Sequence, residues 1–123
     1  MEINFQPEDA LLIYKIDGII AFEDMKRLQN IQASIPKGNK IRILALVEKF
    51  EGYENISTAR EALALDLAWI GKAKQYAMVA DSNFLRSAVK ILGLLVPKIK
   101  FKAFRKVDQD AAYNWLGVSK RLG

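Results

Sequence analysis

The chain contains neither cysteine nor histidine. Without cysteine there is no disulfide framework, no iron–sulfur cluster and no thiolate zinc site. Without histidine, Ser-His-Asp and Cys-His nucleophilic centres, imidazole-bound zinc and haem, and the commonest general base near neutral pH are excluded as well. What remains is carboxylate or lysine chemistry, or no chemistry at all. Proline is scarce, and the seven glycines form neither a GxGxxG nor a P-loop pattern, so no nucleotide cradle is supported. No charge-free apolar stretch approaches the roughly 18 residues needed to span a bilayer. The N-terminal MEINFQPED is acidic and lacks the basic start and apolar core of a signal peptide, which predicts a cytoplasmic protein. No metal or cofactor site is expected.

What is present is ordinary globular composition: 123 residues, 51% hydrophobic and 27% charged, the size of a single domain over residues 1–123. Charge is unevenly placed. Residues 1–66 carry a net charge of −3 and residues 67–123 one of +8. Between Ser82 and Val107 stand Arg86, Lys90, Lys98, Lys100, Lys102, Arg105 and Lys106 with no acid. Such a field favours anionic partners. Lysines guarding a sheet edge against aggregation are the other reading.

Periodicity orders the elements. Glu2 to Gln6 alternates like a short strand, Pro7 to Asp9 reads as a turn, and Ala10 to Asp17 as a buried strand ended by Gly18. Phe22, Met25, Leu28, Ile31 and Ile35 fall at helical spacing behind early acids. Ile41 to Val47 is apolar enough to be covered on both faces. Glu48 to Ile56 reads as a polar loop. Thr58-Ala59-Arg60-Glu61 has capping-box spacing and opens a helix to about Lys74, with Ala59, Ala62, Leu63, Leu67 and Ile70 as its predicted buried arc and Asp66 inside it. Tyr76 to Ala80 is a strand, and Asp81-Ser82-Asn83 caps a third helix from Phe84 to about Val96, stopped by Pro97. Ile99, Phe101 and Ala103 alternate with Lys98, Lys100 and Lys102. Asp108 caps a last helix carrying Trp115. The order β-β-α-β-α-β-α-β-α predicts an α/β domain with an N-terminal hairpin, a mostly parallel central sheet and four helices.

That order resembles the STAS fold. The strings DGIIAFEDMKRL (Asp17 to Leu28), RILALVEKFEGYE (Arg42 to Glu54), YAMVAD (Tyr76 to Asp81) and AAYNWL (Ala111 to Leu116) together resemble the SpoIIAA-like family of STAS/SEC14 domain-containing proteins, over essentially the whole chain. The resemblance implies a small cytoplasmic domain without established catalysis, sharing architecture with anti-sigma factor antagonists and with lipid-handling SEC14 proteins. The antagonists carry a phosphorylatable serine after the central strand, typically in Asp-Ser-Ser-Gly. Here Glu48-Lys49-Phe50-Glu51-Gly52 stands in its place, and a phosphoryl group would meet like charge from Glu48, Glu51 and Glu54. The phosphoswitch is therefore not carried over.

The third helix is the element most suggestive of function. Phe84, Leu85, Ala88, Val89, Ile91, Leu92, Leu95 and Val96 cover roughly 160° of its wheel, and Leu94 stands outside that arc. Either the helix has a broad core-facing stripe, or it is a lid or interfacial helix over an apolar cavity. Its length of about 20 Å lets it lie on a bilayer but not cross one. On the second reading Asp66, Trp69, Ile70, Phe84, Leu85, Ala88, Val89 and Leu92 bind a nonpolar or amphipathic small molecule. Leu94, Leu95, Lys90, Lys98 and Lys100 then meet an anionic membrane surface. Each large aliphatic side chain withdrawn from water contributes about 1.5 to 3 kcal/mol, and each cation beside an anionic leaflet about 1 kcal/mol. That adds up to weak, salt-sensitive, peripheral attachment. Asp66, among apolar neighbours, can orient a ligand's polar end, or act as a base if desolvation raises its pKa; no second catalytic group accompanies it, and no enzyme is expected. The competing expectation is a regulatory protein-interaction module in which the same helix docks a partner or a second copy of the chain. Nucleic acid is the least favoured anion, since Phe101 and Phe104 form no recognised RNA-binding motif.

Overall fold

A computed structural model describes residues 1–118. The elements, in order, are β1 (Glu2–Gln6), a 3-10 turn (Pro7–Asp9), β2 (Leu11–Ile20), α1 (Phe22–Ser34), β3 (Ile41–Tyr53), α2 (Ile56–Ala68), β4 (Ala73–Val79), α3 (Asn83–Leu95), β5 (Lys100–Phe104), a second 3-10 turn (Lys106–Asp108) and α4 (Gln109–Leu116). The five strands form one sheet in the order β1-β2-β3-β4-β5. β1 and β2 make the antiparallel hairpin, and every later pairing is parallel. The α/β class, the hairpin and the element order match the sequence reading.

Because strand order never reverses, right-handed crossovers must carry α1, α2 and α3 over the same face of the sheet. Side chains alternate accordingly. Leu12 and Ile16 of β2 and Ile43 and Val47 of β3 pack with Met25, Leu28, Leu65 and Trp69 from the helices. Leu11, Ile13, Leu44, Ala77, Val79 and Phe104 point the other way, where Ala112, Tyr113 and Leu116 of α4 cover them. Arg42 fastens α4 by donating from Nη1 to the Leu116 carbonyl at 3.0 Å. Each crossover advances by one strand, about 4.8 Å, whereas packed helices need about 8–10 Å. Three helices on one face therefore cannot each sit above their own strands. α2 leans on α1, α3 lies along β5, and the sheet between them is left partly uncovered.

Several boundaries differ from the sequence reading. Gly18 does not end the second strand. It adopts φ +109° between two register shifts, and β2 continues to Ile20. This extension pairs with residues expected in a polar loop: Asp17 opposes Lys49, Gly18 opposes Phe50 and Ile20 opposes Tyr53. The segment is polar because its side chains are mostly exposed, not because it lacks strand structure. Thr58 is not the cap of α2. Asn55 is, its Oδ1 accepting from the Thr58 N–H at 2.8 Å and from Thr58 Oγ1 at 2.9 Å, which lets Thr58 be fully buried. The helix ends at Ala68, and Lys74 belongs to β4. The arc predicted as buried on α2 is not the core face. Thr58, Leu65 and Trp69 are buried, while Leu63, Leu67 and Ile70 are exposed. With leucine and alanine on all sides, the wheel alone does not distinguish a face toward the sheet from a face toward an opening.

Candidate functional site

The opening between α2 and α3 is a cavity of about 440 Å³. Its floor is the sheet, with Tyr14 from β2, Val47 from β3, Tyr76 and Met78 from β4 and Phe101 from β5. One wall is α2 with the turn that follows it, through Ala62, Leu63, Asp66, Leu67, Trp69 and Ile70, and the other is α3 with its C-cap, through Phe84, Leu85, Ala88, Val89, Leu92 and Val96. Phe50 and Tyr53, carried by the extension of β3, close one end, their rings edge to face at 5.4 Å. The lining is almost wholly apolar, and no lysine or arginine contributes to it.

The structure thus brings all eight sequence-predicted ligand residues, Asp66, Trp69, Ile70, Phe84, Leu85, Ala88, Val89 and Leu92, to one cavity. Their exposures differ. Trp69 and Val89 are buried at 5% and 2%, fixing the walls, whereas Phe84 is 80% exposed at the rim. Val89 is the sole buried side chain of α3, so the helix is not an ordinary core helix.

The five residues expected to meet a membrane are not brought to one face. Leu94 and Leu95 are exposed on α3, at 84% and 72%, with exposed Lys90 on the same helix. Lys100 has the parity of Lys102 and Phe104, and the Lys102 ammonium lies over the Phe104 ring at 5.4 Å, so it projects from the α4 side of the sheet. Lys98 sits in the turn before β5. Other cations of the basic segment serve the fold. Arg86 donates to the Ala80 carbonyl at 2.9 Å, Arg105 pairs with Asp108 at 3.5 Å, and Lys106 pairs with Glu48 at 3.2 Å. A smaller hollow of about 220 Å³ beside these last contacts contains Glu48 and Asp81. Lys106 engages both, since its backbone N–H also donates to Asp81 at 3.0 Å.

The polar groups of the main cavity are few: the hydroxyls of Tyr14, Tyr53 and Tyr76 and the carboxyl of Asp66. The Tyr14 and Tyr76 hydroxyls hydrogen-bond to each other at 2.7 Å on the floor. Burial raises both above the ordinary tyrosine range, and the nearby Asp66 charge adds to this. Tyr53 is raised for the same reasons, burial first and Asp66 second. Water reaches Asp66 through the mouth of the groove, so the residue is exposed by surface area. The apolar walls around its carboxyl nevertheless disfavour the charge and push its pKa up to about 6. Among the described residues Asp66 has neither an ion pair nor a hydrogen bond. The sequence reading places Tyr14 and Tyr76 in strands and assigns neither a role in the site. Their signal was a hydroxyl inside each of two apolar strands, which needs a partner when buried.

A family model described as SpoIIAA-like matches residues 11–117. Among solved structures, the chain is similar to an uncharacterized protein of the DUF3478 family with a SpoIIAA-like fold from Shewanella loihica PV-4. Sequence identity is 23%, the match covers 94% of this chain and 90% of that one, and the TM-score is 0.72. At that identity the likeness concerns the fold. No curated protein matches the chain.

Proposed function

The chain belongs to the SpoIIAA-like family, and from that premise we propose that it is a non-catalytic STAS-type module that holds a nonpolar or amphipathic small molecule between α2 and α3 and attaches peripherally to anionic membranes. The observation that carries this reading is the cavity itself: apolar walls on two helices, about 440 Å³ in volume, within the range of roughly 300–1,000 Å³ that accommodates small ligands. Polar side-chain groups are few, the tyrosine hydroxyls of the floor and one end and Asp66 on one wall, as an amphipathic guest requires. Support for the membrane clause is the α3 ridge of Ile91, Leu94 and Leu95, which stands outside the cavity lining with Lys90 beside it. No helix among the described residues is long and apolar enough to cross a membrane, so attachment rests on this ridge.

Native mass spectrometry of protein taken directly from cells is expected to reveal a reproducible small-molecule adduct. Cosedimentation with anionic vesicles should succeed at low salt and fail at about 0.5 M salt, where the Debye length shrinks to a few ångströms. The double substitution Leu94→Asp, Leu95→Asp should abolish it while changing folding stability by no more than about 0.5 kcal/mol, since both side chains are exposed. Full recovery of the unmodified protein in the supernatant at low salt, with a copurified protein bound, would instead favour the protein-interaction module, for which the same ridge is the docking surface.

A further inference from the structure

Resting on the reading of the cavity as a ligand site, we infer that its polar end, formed by Asp66 with Tyr14 and Tyr76, selects the head group of the guest and takes an apolar amine in preference to the corresponding carboxylate. Four observations converge. The single ionisable carboxyl on the cavity wall belongs to Asp66, no lysine or arginine lines the cavity to balance it, and the amino terminus of Met1, which does line it, is engaged by Asp24 at 3.6 Å. Asp66 has no ion-pair or hydrogen-bond partner among the described residues, so its acceptor oxygens are open to a guest. The charged and titratable groups facing it from the sheet are the hydroxyls of Tyr14, Tyr53 and Tyr76, all neutral at physiological pH. Finally, the Tyr14–Tyr76 hydrogen bond at 2.7 Å uses one of their two hydroxyl protons and leaves oxygen lone pairs free to accept.

A protonated amine satisfies the acceptors of this arrangement. Its ammonium donates to the Asp66 carboxylate and to a tyrosine oxygen, and pairing restores the charge that the apolar walls disfavour. An alcohol makes the hydrogen bonds without the charge pairing. A carboxylate brings a second negative charge beside Asp66 with no lysine or arginine in the lining to offset it, the amino terminus of Met1 being paired with Asp24 at 3.6 Å, and binds at the cost of protonating one of the two acids. The protein's net charge of +5 acts in the opposite sense, attracting anions from a distance. A preference for the amine must therefore arise inside the cavity.

The test is binding of decylamine, decanol and decanoate, each kept below its micellar concentration, to the whole chain at about pH 8. Decylamine is expected to bind at least tenfold more tightly than decanoate, with decanol between them. Between about pH 5 and pH 8 the alkylammonium stays charged while Asp66 ionises, so decylamine should gain affinity as pH rises through about 6 and decanol should change by less than about twofold. Asp66→Asn should bring decylamine to the level of decanol and leave decanol bound, whereas Asp66→Glu should keep the ranking. Equal or tighter binding of decanoate, or an unchanged ranking in Asp66→Asn, overturns the inference while the cavity reading survives on decanol. If none of the three binds, the cavity reading falls, and the head-group preference falls with it.

Discussion

Asp66 sits where its charge is disfavoured, and the consequence for stability has a definite sign. Its folded-state pKa, raised to about 6, lies above the ordinary aspartate value of about 3.9. The folded protein therefore holds this proton more tightly than the unfolded chain does. Its contribution to stability is greatest below about pH 4 and is lost as pH rises toward 6. Removing the charge should stabilise: Asp66→Asn is expected to raise stability at pH 7 by on the order of 1 kcal/mol, discounted for water entering the open groove, and to change it little near pH 4. Thermal unfolding of both proteins at the two pH values checks this, and a destabilised variant at pH 7 would contradict it. Asp24 is the contrasting carboxylate. Burial raises its pKa, but the Ala21 N–H at 2.9 Å, Arg27 at 2.7 Å and the amino terminus at 3.6 Å outweigh burial and hold it below the usual range. The two differ in partners: Asp24 is satisfied from within the chain, and Asp66 is left for something else.

At the scale of elements, the extension of β2 and β3 through Ile20, Phe50 and Tyr53 shapes one end of the cavity. It depends on Gly18, whose φ of +109° absorbs the register shift and whose missing side chain leaves room beside Glu51. Gly18→Ala should destabilise by about 1–3 kcal/mol, because alanine is strained in that conformation. It should also loosen Phe50 and Tyr53, weakening decanol binding. A calorimetric unfolding curve and a titration report the two effects, and an unchanged Tm would show that the backbone there relaxes freely. The sequence resolved the apolar run of each element better than its ends. Glu48 to Tyr53 reads as a loop because half its residues are charged, yet its backbone is satisfied by β2, a partner more than thirty residues distant. The α2 wheel located the right residues and assigned them to the core, since Leu63, Leu67 and Ile70 look alike whether they face a sheet or an opening.

On the scale of the whole molecule, the cavity follows from where the helices sit on one face of the sheet: α2 packs on α1, α3 lies along β5, and the strands between them stay open. A guest that fills it should stabilise the fold by mass action. Decanol at about a hundred times its dissociation constant is expected to add about 2.7 kcal/mol and raise Tm by about 10 °C. An unshifted Tm under saturating decanol would mean that binding, if observed, is on the outer surface.

The sequence by itself determined the α/β order, the hairpin, the absence of histidine and cysteine chemistry, and the excess apolar surface on the third helix. These are properties of composition and local periodicity, which each segment carries alone. Tertiary structure decided that this surface faces an open groove, that Asp66 lies near paired tyrosines from separate strands, and that Lys100 projects from the opposite side of the sheet from α3. Those facts depend on which distant segments share a face, and on α2 packing against α1 while α3 lies along β5, which parts the two helices above the sheet.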